Sequence, residues 1–252
     1  MRLNFRFFSN QKPSDAPERM VIDGDGEPYH VEIKRHANAR RYTLRVRETS
    51  RDVVLTMPPR GSLRQAKAFA EKHVEWISAR LKRLPGPIPF RHNAVVPLRG
   101  VPHRIVHRTG SRGTVWIESA RGEMLLCVAG KPEHVARRVR DFLKREAERD
   151  LVAASRKYAE MLDVSIRSIS IRDTASRWGS CSYQGALSYS WRLVLAPPFV
   201  LDYLAAHELA HRLELNHSKR YWKIVDRIFP NRARAETWLR ANGASLHRYG
   251  AN

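Results

Sequence analysis

The chain of 252 residues is long enough to bury one large core or two smaller ones, and 42% of its residues are hydrophobic, as in ordinary soluble domains. No apolar run approaches the length needed to cross a bilayer, and the start lacks a secretory h-region, so we expect a cytoplasmic protein with no membrane partner. Cys127 and Cys181 are too few for a disulfide framework, and we expect both to be reduced.

The net charge of +21, from 46 basic and 25 acidic residues, would attract polyanions through long-range electrostatics. The basic residues are spread along the chain, and neither an aromatic RNA-binding motif nor a zinc-finger spacing accompanies them. A solvated basic surface is therefore the favoured interpretation, with non-specific nucleic-acid association as the alternative. The oligomeric state is left open by the sequence.

The first half of the chain is predicted to be rich in β-strands. After a loose arm over residues 1–17, alternation of apolar and polar residues predicts half-buried antiparallel strands in "PYHVEIKRH", "ARRYTLRVRE" and "RDVVLTMP". Residues 61–84 change to a helical period, with Ser62 as the expected N-cap, and the prolines of residues 85–89 end that helix. Further strands are predicted in "VVPLRGVPHRIVHR", "TVWIES" and "EMLLCVAG". We therefore predict a β-rich domain with one helix over residues 18–130.

Residues 131–252 are predicted to form a second domain. A long helix begins near Pro132, which suits the first helical turn. The strands "IRSISIRD" and "SRWGSCS" come next, and after a turn a third strand, "ALSYSWRLVLAP", is ended by two prolines. The helix "FVLDYLAAHELAHRLEL" and further helices complete the chain. No internal repeat of fixed period is visible, and the predicted fold class is α+β.

The stretch "AAHELAH" carries a spacing that suits metal chemistry. His207 and His211 are four residues apart, which on a helix separates them by about 40° around the axis and roughly 6 Å along it, so both can face one ion. Glu208 follows the first histidine, and from there it can approach an activated water without coordinating the metal. The pattern therefore predicts a metal site with Glu208 as general base.

A catalytic zinc ion usually has three protein ligands, and His217 is the favoured third. In an unbroken helix, His217 would lie about 240° around the axis from His211, so the helix has to end first. Asn216 tolerates the left-handed conformation found at helix C-termini, and Ser218 could cap the following helix. The alternative ligands are Glu214 and Glu236. Three neutral imidazoles favour Zn²⁺, with another divalent transition metal as the alternative, over magnesium.

Four segments, "SRWGSCS" (176–182), "WRLVLAP" (191–197), "DYLAAHELAH" (202–211) and "NHSKRYW" (216–222), closely resemble in order and spacing the YgjP-like metallopeptidase family of predicted metal-dependent hydrolases. The wider relatives of that family are the SprT-like zincins. Weaker similarity spans roughly residues 30–240. The resemblance implies a zincin-like domain over residues 131–252, with an active-site helix beside a three-stranded sheet that contains an antiparallel pair. It implies metal ligands at His207, His211 and His217 and a catalytic acid/base at Glu208.

The resemblance also implies that the strands bearing Trp178 and Trp191 lie beside the active-site helix. An extended substrate could then pair with a strand edge next to the metal. Core packing is the simpler explanation for Trp178, Trp191 and Trp222. The candidate substrate-binding residues are Trp178, Arg177 and Arg192, although a surface role explains the two arginines more simply. The His207 to His217 spacing equals that of metzincins, but Glu214 stands where those enzymes have glycine, which argues against that group.

The leading functional hypothesis is a zinc-dependent peptidase acting on a peptide or protein. A nucleotide pyrophosphatase of the UTP type is the alternative enzyme, although the chain has no Gly-rich phosphate loop. A nucleic-acid-associated protein that acts on bound proteins is an alternative of another class. The last alternative is a metal site with a purely structural role and no catalysis.

Overall fold

The computed structural model describes residues 18–24, 27–47, 51–111 and 113–251. The predicted loose arm, residues 1–17, lies outside the described residues. The chain forms two compact units, Met1–Gly86 and Pro87–Asn252. The second unit thus includes residues 87–130, which the sequence-based division assigned to the β-rich domain. Among the described residues, no helix combines the length and the apolar character that crossing a membrane requires.

The first unit is a four-stranded sheet followed by two helices. Its strands are β1 (Arg19–Gly24), β2 (Glu27–Arg35), β3 (Thr43–Val46) and β4 (Val53–Met57). The helices are α1 (Leu63–Lys72) and α2 (Val74–Arg83). The sheet order is β1-β2-β4-β3, with β2 and β4 parallel and the outer pairs antiparallel. Ile22 and Val31 of the sheet are buried in one cluster with Ala66, Ala70 and Ile77 of the helices.

The prediction of one continuous helix over residues 61–84 was wrong, because the helix is interrupted at His73. Its backbone leaves the helical region at φ −109° and ψ 17°. The His73 amide donates to the Ala70 carbonyl, and the His73 ring is 2.8 Å from the Phe69 carbonyl oxygen. The imidazole therefore takes the place of the amide that would otherwise satisfy Phe69, and α2 starts in a new direction.

The second unit begins with another four-stranded sheet and a long helix. Its strands are β5 (Val95–Leu98), β6 (Val101–Arg108), β7 (Val115–Ala120) and β8 (Glu123–Ala129). A short 3₁₀ helix, Pro132–His134, leads into α3 (Val135–Leu162). The order is β5-β6-β8-β7, with β6 and β8 parallel and the outer pairs antiparallel. This connectivity repeats that of the first unit, although the sequence shows no repeat.

The rest of the second unit contains a small sheet and three helices. The strands are β9 (Ser168–Arg172), β10 (Gly179–Cys181) and β11 (Ala186–Ser190), in the order β10-β11-β9. Strand β10 pairs antiparallel with β11, and β9 pairs parallel with it. The helices are α4 (Pro198–Ala210), α5 (Lys219–Ile228) and α6 (Arg232–Leu246). The α+β prediction is confirmed, except that the third predicted strand ends at Ser190 and continues as a 3₁₀ helix, Trp191–Leu195.

Helix α4 lies in the middle of the second unit. It packs against α3, α5, α6 and strand β10, so it has no solvent-facing side along most of its length. Every residue from Tyr203 to Ala210 is buried, which explains why its sequence is apolar all round rather than on one stripe. Polar side chains near its C-terminus are therefore held in the interior rather than displayed on a surface.

Candidate metal centre

His207 and Glu208 belong to the last turn of α4, and His211 immediately follows that helix. The rings of His207 and His211 have their centroids 5.3 Å apart and are almost perpendicular. His207 is 1% exposed, whereas His211 is half-buried. The helical spacing thus brings the two imidazoles together as the sequence predicted.

The chain between His211 and His217 turns back, but by a route that was not predicted from the sequence. Helix α4 ends at Ala210, not near residue 215, because the amides of residues 211, 212 and 213 donate to the carbonyls three residues back, those of residues 208, 209 and 210. Asn216 is not among the described residues with positive φ, so the expected left-handed cap at Asn216 was wrong. Ser218 caps α5 as predicted, accepting a hydrogen bond from the Tyr221 amide at 3.2 Å.

The early end of α4 brings His217 back to the other two histidines. The Nε2 atoms of His207 and His217 are 3.2 Å apart, and one potential ligand atom from each of the three histidines lies within 4.8 Å of the others. Two nitrogen ligands of a tetrahedral zinc ion are separated by about 3.3 Å, given the usual zinc–nitrogen bond length. The spacing of the cluster therefore fits a small transition-metal ion.

Burial keeps these imidazoles uncharged. It lowers the pKa of His207 well below its usual value, with further lowering by the neighbouring histidines. Burial also lowers the pKa of His211, and it lowers that of His217 to about 4. Neutral imidazoles offer nitrogen lone pairs, which suit zinc and related ions and do not suit magnesium or calcium.

The two glutamates considered as alternative ligands have other partners. The Glu214 carboxylate is 3.8 Å from Arg220, while the Glu214 backbone carbonyl lies 3.1 Å from His211 Nδ1. Glu236 accepts hydrogen bonds from the Tyr203 hydroxyl and from the Arg232 guanidinium. Within the described parts of the chain, the metal-ligand cluster consists of the three histidines alone.

Two aromatic side chains at the start of α5 hold the imidazoles in place. Tyr221 stacks on His211 at 4.6 Å and donates a 2.9 Å hydrogen bond to the backbone carbonyl of His207. Trp222 stacks on His217 at 5.5 Å. Tyr221 was missed in the sequence, although its place just after the capped turn in "NHSKRYW" was a usable signal. Trp222 packs on the core, as the sequence suggested, and also against the cluster.

Glu208 is buried between α4 and strand β10. Burial raises its pKa to about 8, and the positive charge of Arg177 opposes that shift. A Cβ atom at Gly179 would lie 2.5 Å from Glu208 Oε1 and under 3.0 Å from two of its carbon atoms. The carboxyl group therefore lies directly against the backbone of β10, at a position where only glycine leaves enough room. Gly179 was not predicted from the sequence as part of the site.

The remaining predicted site residues lie in different surroundings. Arg177 precedes β10 and is half-buried near Glu208, as its effect on that pKa shows. Trp178 packs against the His247 ring at 5.0 Å and against the core. Arg192 is buried, and it donates to Asp173 and to the carbonyls of residues 246 and 249. Its guanidinium is thus engaged with the C-terminal end of the chain and not with the histidine cluster.

Cys181 follows Gly179 on the same strand. Burial raises the pKa of the Cys181 thiol to about 11, and the nearby Glu208 adds to the shift. A thiol with this pKa is protonated at neutral pH and is a poor nucleophile. The local chemistry therefore favours attack by water over covalent catalysis.

Comparison with protein families gives a match that covers most of the chain. A family model described as "YgjP-like, metallopeptidase domain" matches residues 40–242, a range that includes the histidine cluster and Glu208. No curated protein matches the chain. Among solved structures, it is similar to "Crystal structure of the metallopeptidase zymogen of Pyrococcus abyssi abylysin", with 20% identity and a TM-score of 0.34, covering 40% of this chain and 99% of that chain. At that TM-score the likeness is too slight to transfer any detail.

Proposed function

The chain belongs to the YgjP-like metallopeptidase family, and from that premise we propose that it is a zinc-dependent peptidase. Family membership supports a metal-dependent protease in general. The observation that carries the finer proposal is the convergence of three neutral imidazoles beside one buried carboxyl group. His207, His211 and His217 would hold the ion through their ring nitrogens.

Zinc bound in this way supplies Lewis acidity, which makes water nucleophilic at neutral pH and polarises a carbonyl group. Two further features support zinc over harder ions. All three proposed ligands are nitrogen donors, and the carboxylates of Glu214 and Glu236 are committed to arginine and tyrosine partners. Oxygen ligands, which calcium and magnesium prefer, are therefore scarce at this cluster.

Glu208 is the proposed general base and general acid. A cation held by the three histidines would favour the charged form of this carboxyl group. The Glu208 carboxylate would then take a proton from the attacking water as the carbon–oxygen bond forms, and deliver that proton to the leaving amine nitrogen as the peptide bond breaks. The close approach of Gly179 limits the positions that the carboxyl group can adopt. A base held in one position on a rigid helix is an effective proton shuttle because little reorganisation precedes transfer.

Strand β10 is the proposed binding edge for an extended peptide. It is an outer strand of the three-stranded sheet, it pairs with β11 on one side only in that sheet, and it lies next to Glu208. A peptide can add to such an edge through backbone hydrogen bonds. Arg177, just before β10, is the proposed group that faces an anionic substrate or the negative charge that develops on the carbonyl oxygen.

The test combines metal analysis with assays on the native protein and on Glu208→Gln. We expect about one zinc ion per chain in both proteins, and cleavage of a peptide library by the native protein only. Glu160→Gln, at an exposed position of α3, is the matched control and should cleave like the native protein.

Three results would contradict the proposal. Undiminished peptide cleavage by metal-free protein would remove the metal from the mechanism. Phosphate release from nucleoside triphosphates without peptide cleavage would point instead to a pyrophosphatase. Tight zinc binding with no turnover of either substrate class would indicate a structural site.

A further inference from the structure

The second ring nitrogen of His207 faces the hydroxyl group of Tyr203, one helical turn earlier on α4. The Tyr203 oxygen is 3.4 Å from His207 Nδ1 and 2.9 Å from Glu236 Oε1. Tyr203 is 1% exposed, so water does not compete freely for its hydroxyl group. A carboxylate only accepts, so the Tyr203 proton goes to Glu236 and the Tyr203 oxygen is left to accept from His207.

This direction of the hydrogen bonds fixes the tautomer of His207. A ring that donates from Nδ1 carries its lone pair on Nε2, and Nε2 is the atom that lies 3.2 Å from His217 Nε2 in the cluster. The Glu236 carboxylate contacts the Tyr203 hydroxyl group, which in turn contacts His207. His211 Nδ1 instead lies 3.1 Å from the backbone carbonyl oxygen of Glu214. The orientation of His207 therefore depends on side chains that substitution can remove.

Arg232 joins this chain of groups to a second histidine. It donates to Glu236 at 3.0 Å and to Asp226 at 2.5 Å, and both carboxylates balance its charge. Its guanidinium carbon also lies 4.4 Å from the centroid of the Trp222 ring, and Trp222 stacks on His217. Arg232, at the start of α6, thus contacts both Glu236, which bonds to Tyr203 of α4, and Trp222, which stacks on His217.

We propose that Tyr203 and Glu236 are positioning residues that hold His207 as the Nδ1–H tautomer for metal binding, and that Arg232 links this orientation to that of His217. The inference rests on the proposed function, because it concerns the affinity of the same three histidines for zinc. In metal sites, an outer carboxylate that orients a histidine increases affinity about 10- to 100-fold.

The experiment uses two readouts on the full chain. Zinc affinity is measured by competition with a chelator, and the tautomer of His207 is determined in the metal-free protein from the ¹⁵N chemical shifts of its ring. For Tyr203→Phe we expect zinc binding about 10- to 100-fold weaker and loss of the Nδ1–H signature. Tyr158→Phe is the matched control, since Tyr158 is also buried and packs on Phe229, as Tyr203 does. It should keep the native affinity and tautomer.

Glu236 provides an independent test that separates positioning from packing. In Glu236→Ala the Tyr203 hydroxyl group loses its acceptor and donates to His207 Nδ1, which converts His207 to the Nε2–H form and weakens zinc binding. Glu236→Gln keeps an amide oxygen as acceptor and should restore the native tautomer.

Native zinc affinity together with the Nδ1–H form in Tyr203→Phe or in Glu236→Ala would overturn the inference and leave the proposed function intact. Absence of zinc binding by the native protein would overturn both.

Discussion

At the scale of single residues, the proposed active centre depends on the absence of a side chain at position 179 as well as on the side chains present. Glu208 lies so close to strand β10 that a Cβ atom on Gly179 would come within 2.5 Å of its Oε1. Real Cβ atoms do not approach other atoms so closely, so any larger residue at position 179 has to displace either the carboxyl group or the strand. The position of the proposed base is therefore set by Gly179.

Gly179→Ala is accordingly expected to impair catalysis more than metal binding. A displacement of Glu208 by about 1 Å should lower kcat on the order of 100-fold, while the zinc content stays unchanged. Steady-state kinetics and metal analysis of the variant test this. Gly86→Ala is the control, because a Cβ atom there meets nothing within 4 Å. Native kcat in Gly179→Ala would show that the carboxyl group is not fixed by this contact.

His247 makes the free energy of unfolding depend on pH, independently of the proposed metal centre. Burial, together with the positive charge of the nearby Arg192, lowers the pKa of its imidazole to about 4, although the Asp173 carboxylate acts in the opposite direction. In the unfolded chain its pKa is about 6.5. Between these values the unfolded chain binds a proton that the folded protein does not, so the contribution of His247 to stability is lost as the pH falls from about 6.5 towards 4.

Urea unfolding of the native protein and of His247→Gln tests this sign. The difference in the free energy of unfolding between the two proteins should be larger at about pH 7 than at about pH 5, because only the native protein loses the contribution of this imidazole. A difference that does not change with pH would show that His247 is not the group that titrates.

The roles of some residues of the proposed centre could be predicted from the sequence, whereas those of others could not. His207, Glu208 and His211 could be predicted together because helical geometry fixes the relation between residues one and four apart. Tyr203 could not be given a role, although it lies on the same helix, since its partner Glu236 is 33 residues away. Gly179 was missed for the same reason, because its contact with Glu208 is between distant segments.

At the scale of elements, the turn between α4 and α5 decides whether a third histidine joins the centre. His217 can reach the other two histidines only if α4 ends before it. The helix does end before His217, but already at Ala210, where backbone amides donate to carbonyls three residues back. Propensities of Asn216 and Ser218 predicted that the helix would break. They could not place the break, because packing of α4 against its neighbours also determines where its hydrogen bonding changes.

The cap of α5 offers a test at this scale. Ser218→Ala removes the side-chain bond to the Tyr221 amide, and we expect it to destabilise the second unit by about 1 kcal/mol. Ser62→Ala is the matched control, since Ser62 occupies the N-cap of α1 without a side-chain bond and its loss should cost much less in the first unit. Amide hydrogen exchange in the two helices measures both effects. Equal effects of the two substitutions would contradict the role of the Ser218 cap.

At the scale of the whole molecule, the same connectivity of four strands followed by helical structure occurs twice, in β1 to β4 and in β5 to β8. The sequence predicted most of these strands but not the repetition. Pairing of backbones needs only alternation of apolar and polar residues, which many unrelated sequences satisfy. The connections also differ: six residues, 47–52, join β3 to β4, whereas residues 121 and 122 alone join β7 to β8. A domain boundary after residue 130 stays a prediction from the sequence.

Removal of the metal should affect the two units differently. The histidine cluster lies wholly in the second unit, so a chelator is expected to lower the stability of that unit by about 2.7 kcal/mol relative to zinc at 100 times its dissociation constant. Amide hydrogen exchange should become faster in α4 and stay unchanged in β2 and β4 of the first unit. Unchanged exchange in α4 after complete removal of zinc would contradict a site at its C-terminus.

Nucleic-acid binding through the net positive charge of the chain is a separate hypothesis. Binding to random DNA that weakens steeply as salt rises would support non-specific nucleic-acid association, and no binding at low salt would leave a solvated basic surface.

The central claim, that His207, His211 and His217 hold one catalytic zinc ion, is tested most directly by anomalous diffraction at the zinc edge from crystals of the zinc-loaded protein. We expect a single anomalous peak about 2.0 to 2.1 Å from one ring nitrogen of each histidine, with an open position on the side of Glu208. A peak at another place, or a zinc ion coordinated without one of the three histidines, would contradict it.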